Sequence, residues 1–299
     1  MNRRGFMQKS GYAMLSAAVA PYVDMGWAAS KKKYKMGLQL FTVRDAMAED
    51  PVGSLKKVAA LGYQDLETYG LEPEQGKYYG FKAADFKKVL EDHNLTTSSG
   101  HYDLFGYMDK PASDLERYVD QCIAGAKAID QSYITWPWMA PEARTHETFK
   151  RLPEILNKIG EQVTKSGLGF AYHNHDFEFV DYGGETGYDI IMRETDPALV
   201  KLQLDMYWAA HSSKLGSVEL IARQPDRFVM WHIKDMDKVT RDYTELGNGS
   251  IDYHKVLSEA SQEGLEFYFL EQGGNFAHNS MQSITDSAAY FKKHLKKYL

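Results

Sequence analysis

The chain has 299 residues, 43% apolar and 25% charged, which fits a globular protein with a full core and excludes disorder, collagen and coiled coil. Its 35 basic residues are outnumbered by 41 acidic ones, and the net charge of −6 argues against a general nucleic-acid binder. A single cysteine, Cys122, excludes an internal disulfide framework and a Cys-rich zinc module.

The opening Met1-Asn2-Arg3-Arg4-Gly5-Phe6-Met7 resembles a twin-arginine export signal. The weakly apolar stretch from Gly11 to Ala20 is too short to span a bilayer, and Ala28-Ala29-Ser30 offers small residues for a cut before Lys31. The expectation is a signal over residues 1–30, a single domain over 31–299, a periplasmic location and no stable membrane span. From Lys35 onward, short apolar runs alternate with longer amphipathic ones. Met36–Val43, Tyr63–Thr68, Leu95–Ser99, Tyr133–Trp136, Gly169–His173, Val200–Met206, Phe228–Ile233 and Phe267–Glu271 read as buried parallel strands. Between and after them, Pro51–Leu61, Ala83–His93, Ser113–Ile129, Thr145–Ser166, Tyr188–Glu194, Leu215–Arg223, Tyr253–Glu263 and Ser280–Leu299 read as helices. Ser113-Asp114-Leu115-Glu116 has the capping-box form, and Gly62, Gly167 and Gly264 stand where helices should stop.

Eight strand–helix units in about 265 residues match the size of a single (β/α)₈ TIM barrel. A doubly wound open sheet would need a glycine-rich first turn, and Gln39-Leu40-Phe41-Thr42-Val43-Arg44 is not one. Barrels of this kind carry their chemistry at the carboxyl ends of the strands. The polar residues there are Glu67, His101, His173 with His175, Asp205, His232 and Glu271. The fifth to eighth strands thus each deliver an imidazole or carboxylate to one rim. Such a mixed donor set suits a divalent ion such as Mn, Fe, Co or Zn better than Ca. His173 and His175 are two apart and point the same way along a strand, so spacing alone does not say which of them faces the ion.

In their order along the chain, Gly37-Leu38-Gln39-Leu40, Gly62-Tyr63-Gln64-Asp65-Leu66-Glu67, Tyr172-His173-Asn174-His175, Leu204-Asp205-Met206-Tyr207-Trp208, His232-Ile233-Lys234-Asp235, Gly247-Asn248-Gly249-Ser250-Ile251-Asp252 and Leu270-Glu271 resemble the xylose-isomerase-like barrel superfamily, often labelled sugar phosphate isomerase/epimerase. The Tyr-His-x-His piece lies nearest the branch that includes inosose dehydratase. The resemblance implies metal ligands at His173, Asp205, His232 and Glu271, with His173 standing where many members carry a glutamate.

It further implies chemistry that begins by removing a proton next to a carbonyl, on a carbohydrate. Candidates for moving that proton are His175, His101, Glu67 and Glu271, and Lys234 could hold the developing oxygen or form a salt bridge with Asp235 or Glu271. Returning the proton makes an isomerase or epimerase; expelling a β-oxygen makes a dehydratase or a lyase on 3-keto-glycosides. With export expected and no phosphate cradle in view, a non-phosphorylated sugar is the expected substrate. The resemblance also admits a phosphodiesterase, since the superfamily includes zinc endonucleases, but those members carry a histidine where Trp208 stands; a non-catalytic sugar-binding barrel is the third class. Trp136, Trp138, Tyr207, Trp208 and Trp231 divide between sugar stacking and core packing, and Phe105–Met108 reads as a lid or a contact in a homo-oligomer.

Overall fold

A computed structural model describes residues 34–299, so the export-signal reading of residues 1–30 lies outside the described residues. Eight parallel strands close into a barrel: Gly37–Gln39, Asp65–Thr68, Thr96–His101, Tyr133–Trp136, Gly169–His173, Lys201–Asp205, Phe228–Ile233 and Phe267–Leu270. Each pairs with its neighbour in sequence, and the eighth closes on the first. Nearly every strand residue is buried, because helices cover the outside and side chains fill the inside. Within the barrel, Tyr133, Ala171, Met230 and Phe269 form a small apolar cluster of their own.

Local chemistry sets the helix starts. Asp50 accepts from the Gly53 N–H ahead of helix Pro51–Ala60, and Thr145 accepts from the Thr148 N–H ahead of helix His146–Lys165. Gly62 and Gly167 end their helices at φ of +90° and +89°, where a Cβ would be strained. The expected cap at Ser113 is displaced: the helix runs Ala112–Ala128, and its N-cap residue is Pro111, whose side chain makes no capping hydrogen bond. The expected helix Leu215–Arg223 is shorter, Ser217–Arg223, and a separate helix, Met206–Ser212, precedes it because Asp205 caps a new start. The final helix is α-helical only over Ser280–Tyr290 before it loosens into π and 3₁₀ turns. A three-stranded excursion over residues 71–82 is too short in each strand to show a period.

The first and eighth strands approach so closely that position 37 admits no side chain. A Cβ on Gly37 would lie 2.2 Å from the Tyr268 carbonyl oxygen and 2.6 Å from the Phe269 ring. Gly37→Ala is therefore expected to cost about 3 kcal/mol and to lower the melting temperature by on the order of 5–10 °C, read by circular dichroism. An unchanged melting curve would show that the seam yields.

Candidate active site

The strand register brings one polar layer to the carboxyl end of the barrel. Gln39 lies beside Glu67, Glu67 beside Ser99, His173 beside Gln203, and Asp205 beside His232. Glu67 is the hub of that layer and is fully buried. One of its oxygens accepts from Ser99 Oγ and Gln203 Nε2, both at 2.7 Å. The other accepts from Gln39 Nε2 at 2.6 Å and His232 Nε2 at 2.5 Å, and lies 3.1 Å from His101 Nε2. His232 is thereby held between two carboxylates, its Nδ1 lying 2.7 Å from Glu271 Oε2. Lys234 Nζ bridges Asp205 Oδ2 at 2.8 Å and Glu271 Oε2 at 2.9 Å. Asp205 gives its other oxygen to the backbone N–H groups of Tyr207 and Trp208, which fixes its rotamer.

Of the two partners expected for Lys234, Glu271 is engaged and Asp235 is not. Asp235 instead accepts the N–H groups of Gly247, Gly249 and Ile251, which pins the glycine-bearing loop after the seventh strand.

Above this layer lies a cavity of about 450 Å³ lined by His101, His173, His175, Lys234 and Glu271 at its polar end. Phe41, Tyr69, Tyr102, Asp103, Trp138 and Tyr243 make up much of the remaining wall. His173 and His175 do share one face, as their spacing requires. Asp205, His232 and Glu67 do not line the cavity and sit beneath it. Glu67 thus positions two imidazoles and does not face the cavity.

Buried charge sets the protonation pattern. Burial alone would raise Glu67, but His101 and His232 hold it well below the usual carboxylate range. Burial would likewise lower His232, yet Glu67 and Glu271 carry it up to about 10. For Glu271, Lys234 and His232 outweigh burial and keep the carboxylate ionised. Burial pushes Asp205 upward, and the Lys234 ammonium works against that shift. His173 and His175 go the other way. Burial, with His232 and His101 as neighbours, holds His173 neutral; burial, with Lys234, lowers His175 to about 3.

A family model described as the xylose isomerase-like TIM barrel matches residues 55–294. The chain belongs to that family. Among curated relatives, an inosose dehydratase of Clostridium botulinum is 26% identical over 274 residues, covering 80% of this chain and 88% of the relative. A crystal structure of a sugar phosphate isomerase/epimerase from Parabacteroides distasonis superposes with a TM-score of 0.77 at 25% identity, over 88% of this chain and 99% of that one. A structure of an IOLI protein with a bound zinc atom has the same fold, with a TM-score of 0.68 at 15% identity over 89% and 99% of the two chains.

The donors of this xylose isomerase-like barrel fit a divalent cation. Oxygen and nitrogen atoms of Asp205, His232 and Glu271 lie within 4.8 Å of one another, and a second group joins His101, His173 and His232. His173 is neutral, its Nδ1 is buried without a partner among the described residues, and its Nε2 is 3.9 Å from Asp205 Oδ2, beyond hydrogen-bond distance. Glu67 on His232 Nε2 is the carboxylate that a metal-binding histidine needs behind it, and Nδ1, now 2.7 Å from Glu271 Oε2, is the nitrogen that would meet the ion in place of that contact. The Lys234 ammonium is the cation between Asp205 and Glu271 in this structure.

Sequence reasoning passed over Gln39, Ser99 and Gln203, although Leu38-Gln39-Leu40 and Leu202-Gln203-Leu204 each set an uncharged amide in an apolar run. It also passed over Glu178, which accepts from Tyr172 Oη and the His175 N–H at 2.8 Å each. Burial pushes that carboxyl up to about 8. Its position between Phe177 and Phe179 was the available signal.

Proposed function

We propose that this barrel removes a proton from a carbon next to a carbonyl in a non-phosphorylated sugar or sugar derivative, and returns it as an isomerase or epimerase does. The observation that carries this reading is the carboxylate-held imidazole of His101 at the cavity wall. Gln203 donates through Nε2 to Glu67, so its Oε1 accepts from His101 Nε2–H at 2.8 Å. His101 therefore keeps its lone pair on Nδ1, with Glu67 oriented to support the imidazolium that proton uptake would form. His175, with a pKa near 3, is a weak proton acceptor and suits a hydrogen bond to a sugar hydroxyl.

Lys234 donates towards the oxygen on which negative charge develops, and the ionised Glu271 beside it is the second proton acceptor: the proton that His101 or Glu271 takes from the carbon is the one returned to the enolate. Asp205, His232, Glu271 and His173 would hold the divalent ion, which when bound supplies positive charge to that oxygen. Among the described residues, Lys234 is the only Lys or Arg lining the cavity, and it is already paired with two carboxylates, which disfavours a phosphorylated substrate. The paired arginines near the start of the chain favour export, to where phosphorylated sugars are scarce. The inosose dehydratase relatives support a second outcome from the same first step. In it the β C–O bond breaks, the ring keeps a C=C bond, and the departing oxygen takes a proton.

The test is incubation with a panel of keto-sugars and 3-keto-glycosides in heavy water. Deuterium uptake at a carbonyl-adjacent carbon is expected, and the product distinguishes proton return from elimination. No exchange on any member would overturn the proposal. Mn²⁺ or Zn²⁺ at a hundred times its Kd should stabilise the fold by about 2.7 kcal/mol. That appears as a rise in melting temperature which Asp205→Asn abolishes; identical melting with and without metal would remove the ion from the site.

A further inference from the structure

Among the described residues, Phe41 and Trp138 are the most exposed of the Phe, Tyr and Trp residues, at 41% and 42%. Single exposed apolar residues are ordinary. Here both lie on one cavity, the one that holds the His101, His175, Lys234 and Glu271 groups. Both are also fixed in place. The Arg44 guanidinium stands 4.4 Å from the Phe41 ring centroid while its Nη1 donates to the Phe41 carbonyl, and Tyr69 packs edge-on at 5.4 Å. The Arg144 guanidinium stands 5.4 Å from the Trp138 ring while its Nε donates to the Met139 carbonyl, and Phe105 packs edge-on at 6.3 Å. Each ring thus has an arginine anchored on the backbone beside it. Such rings lose little freedom when a ligand arrives.

The volume points the same way. A cavity of about 450 Å³ lies within the range of sites that enclose a whole organic ligand, and one pyranose ring does not fill it. Phe105 is committed to Trp138 packing, and Met108 is buried in the chain's own core. Through Phe105, the segment Phe105–Met108 supports this wall.

We infer that the substrate is a two-ring glycoside: an oxidised sugar ring sits at the His–Lys–Glu end, and a second flat ring lies against Phe41 and Trp138. The shared chemistry of that second group is an apolar ring face, supplied either by another pyranose or by an aryl aglycone. This rests on the carbohydrate reading above and narrows it from sugars in general to glycosides.

The test is binding, which needs no turnover. Glucose, phenyl β-glucoside and cellobiose are titrated by calorimetry into the full chain, its Trp138→Ala and Phe41→Ala variants, and Trp138→Phe, which keeps a ring. At least one two-ring ligand should bind the unaltered protein about tenfold or more tightly than glucose, and each alanine variant should lose most of that preference while Trp138→Phe keeps it. A preference for the phenyl compound assigns an aryl group, and one for cellobiose a second pyranose. Equal affinity for all three ligands, or an equal loss across all three in the alanine variants, would overturn the inference. Ring preference without deuterium exchange on any keto-sugar would sink the proton-transfer reading and keep this subsite. Exchange on free keto-sugars without ring preference would do the reverse.

Discussion

Replacing Glu271 with glutamine is expected to slow turnover about a thousandfold while leaving the barrel folded. A positioned proton-transfer group contributes about 10²- to 10⁴-fold, and Glu271 is in addition one of the three donors clustered with Asp205 and His232. The fold should tolerate the change because glutamine keeps the volume and neither cation is stranded. Lys234 retains Asp205 at 2.8 Å, and His232 retains Glu67. Removing one partner of a buried pair is costly when the other is left alone, and here neither is. The measurements are the rate of deuterium uptake and a melting curve on the same sample. A rate within tenfold of the unaltered protein would take Glu271 out of the chemistry. A collapsed melting curve would mean that the network depends on Glu271 more than its geometry implies.

The barrel was legible because its strands are short apolar runs between amphipathic helices, a contrast that survives without any neighbour information. The strand ends were legible for a related reason. Asp205 after Leu202-Gln203-Leu204 and His232 after Val229-Met230-Trp231 are polar residues where an apolar run stops. What sequence could not supply is which atoms meet. Glu67 read as one more rim carboxylate, whereas the register puts it beside Gln39 and Ser99 inside the wall. Lys234 had two candidate partners, its neighbour Asp235 and the end of the eighth strand at Glu271, and the loop N–H groups that claim Asp235 come from 12 to 16 residues on. The aromatic residues divide on burial alone. Trp136 and Trp231 are core, and Trp138, two residues from Trp136, is at the cavity mouth. That distinction depends on where the strand ends, which composition does not record.

Glu67→Gln should destabilise the fold by about 3 kcal/mol, nearly as much as deleting the side chain, although the two residues have the same shape. Every neighbour of Glu67 donates to it: Gln39 Nε2, Ser99 Oγ, Gln203 Nε2 and His232 Nε2. An acceptor-only group is required, and the amide brings an NH₂ into a ring of donors. Neither glutamine can turn over to relieve it, because Gln39 Oε1 accepts from the Phe41 N–H and Gln203 Oε1 from His101. The cheapest escape is for His232 to lose its proton. NMR titration should then find the His232 pKa lowered from about 10.

The pH dependence follows with definite signs. His232 has a folded pKa above its unfolded value of about 6.5, so its contribution is complete below that value and is lost as pH rises through about 10. Glu67 is depressed, so its contribution is present above the ordinary carboxylate pKa and is lost in acid. The unaltered protein should therefore lose stability on both sides of a maximum near pH 5–6, and Glu67→Gln should flatten both limbs. A melting temperature on the order of 6 °C lower at pH 6, closing towards the unaltered protein at pH 10, is the expected result. An equal deficit at every pH would mean that Glu67 acts through packing and not through its charge on His232.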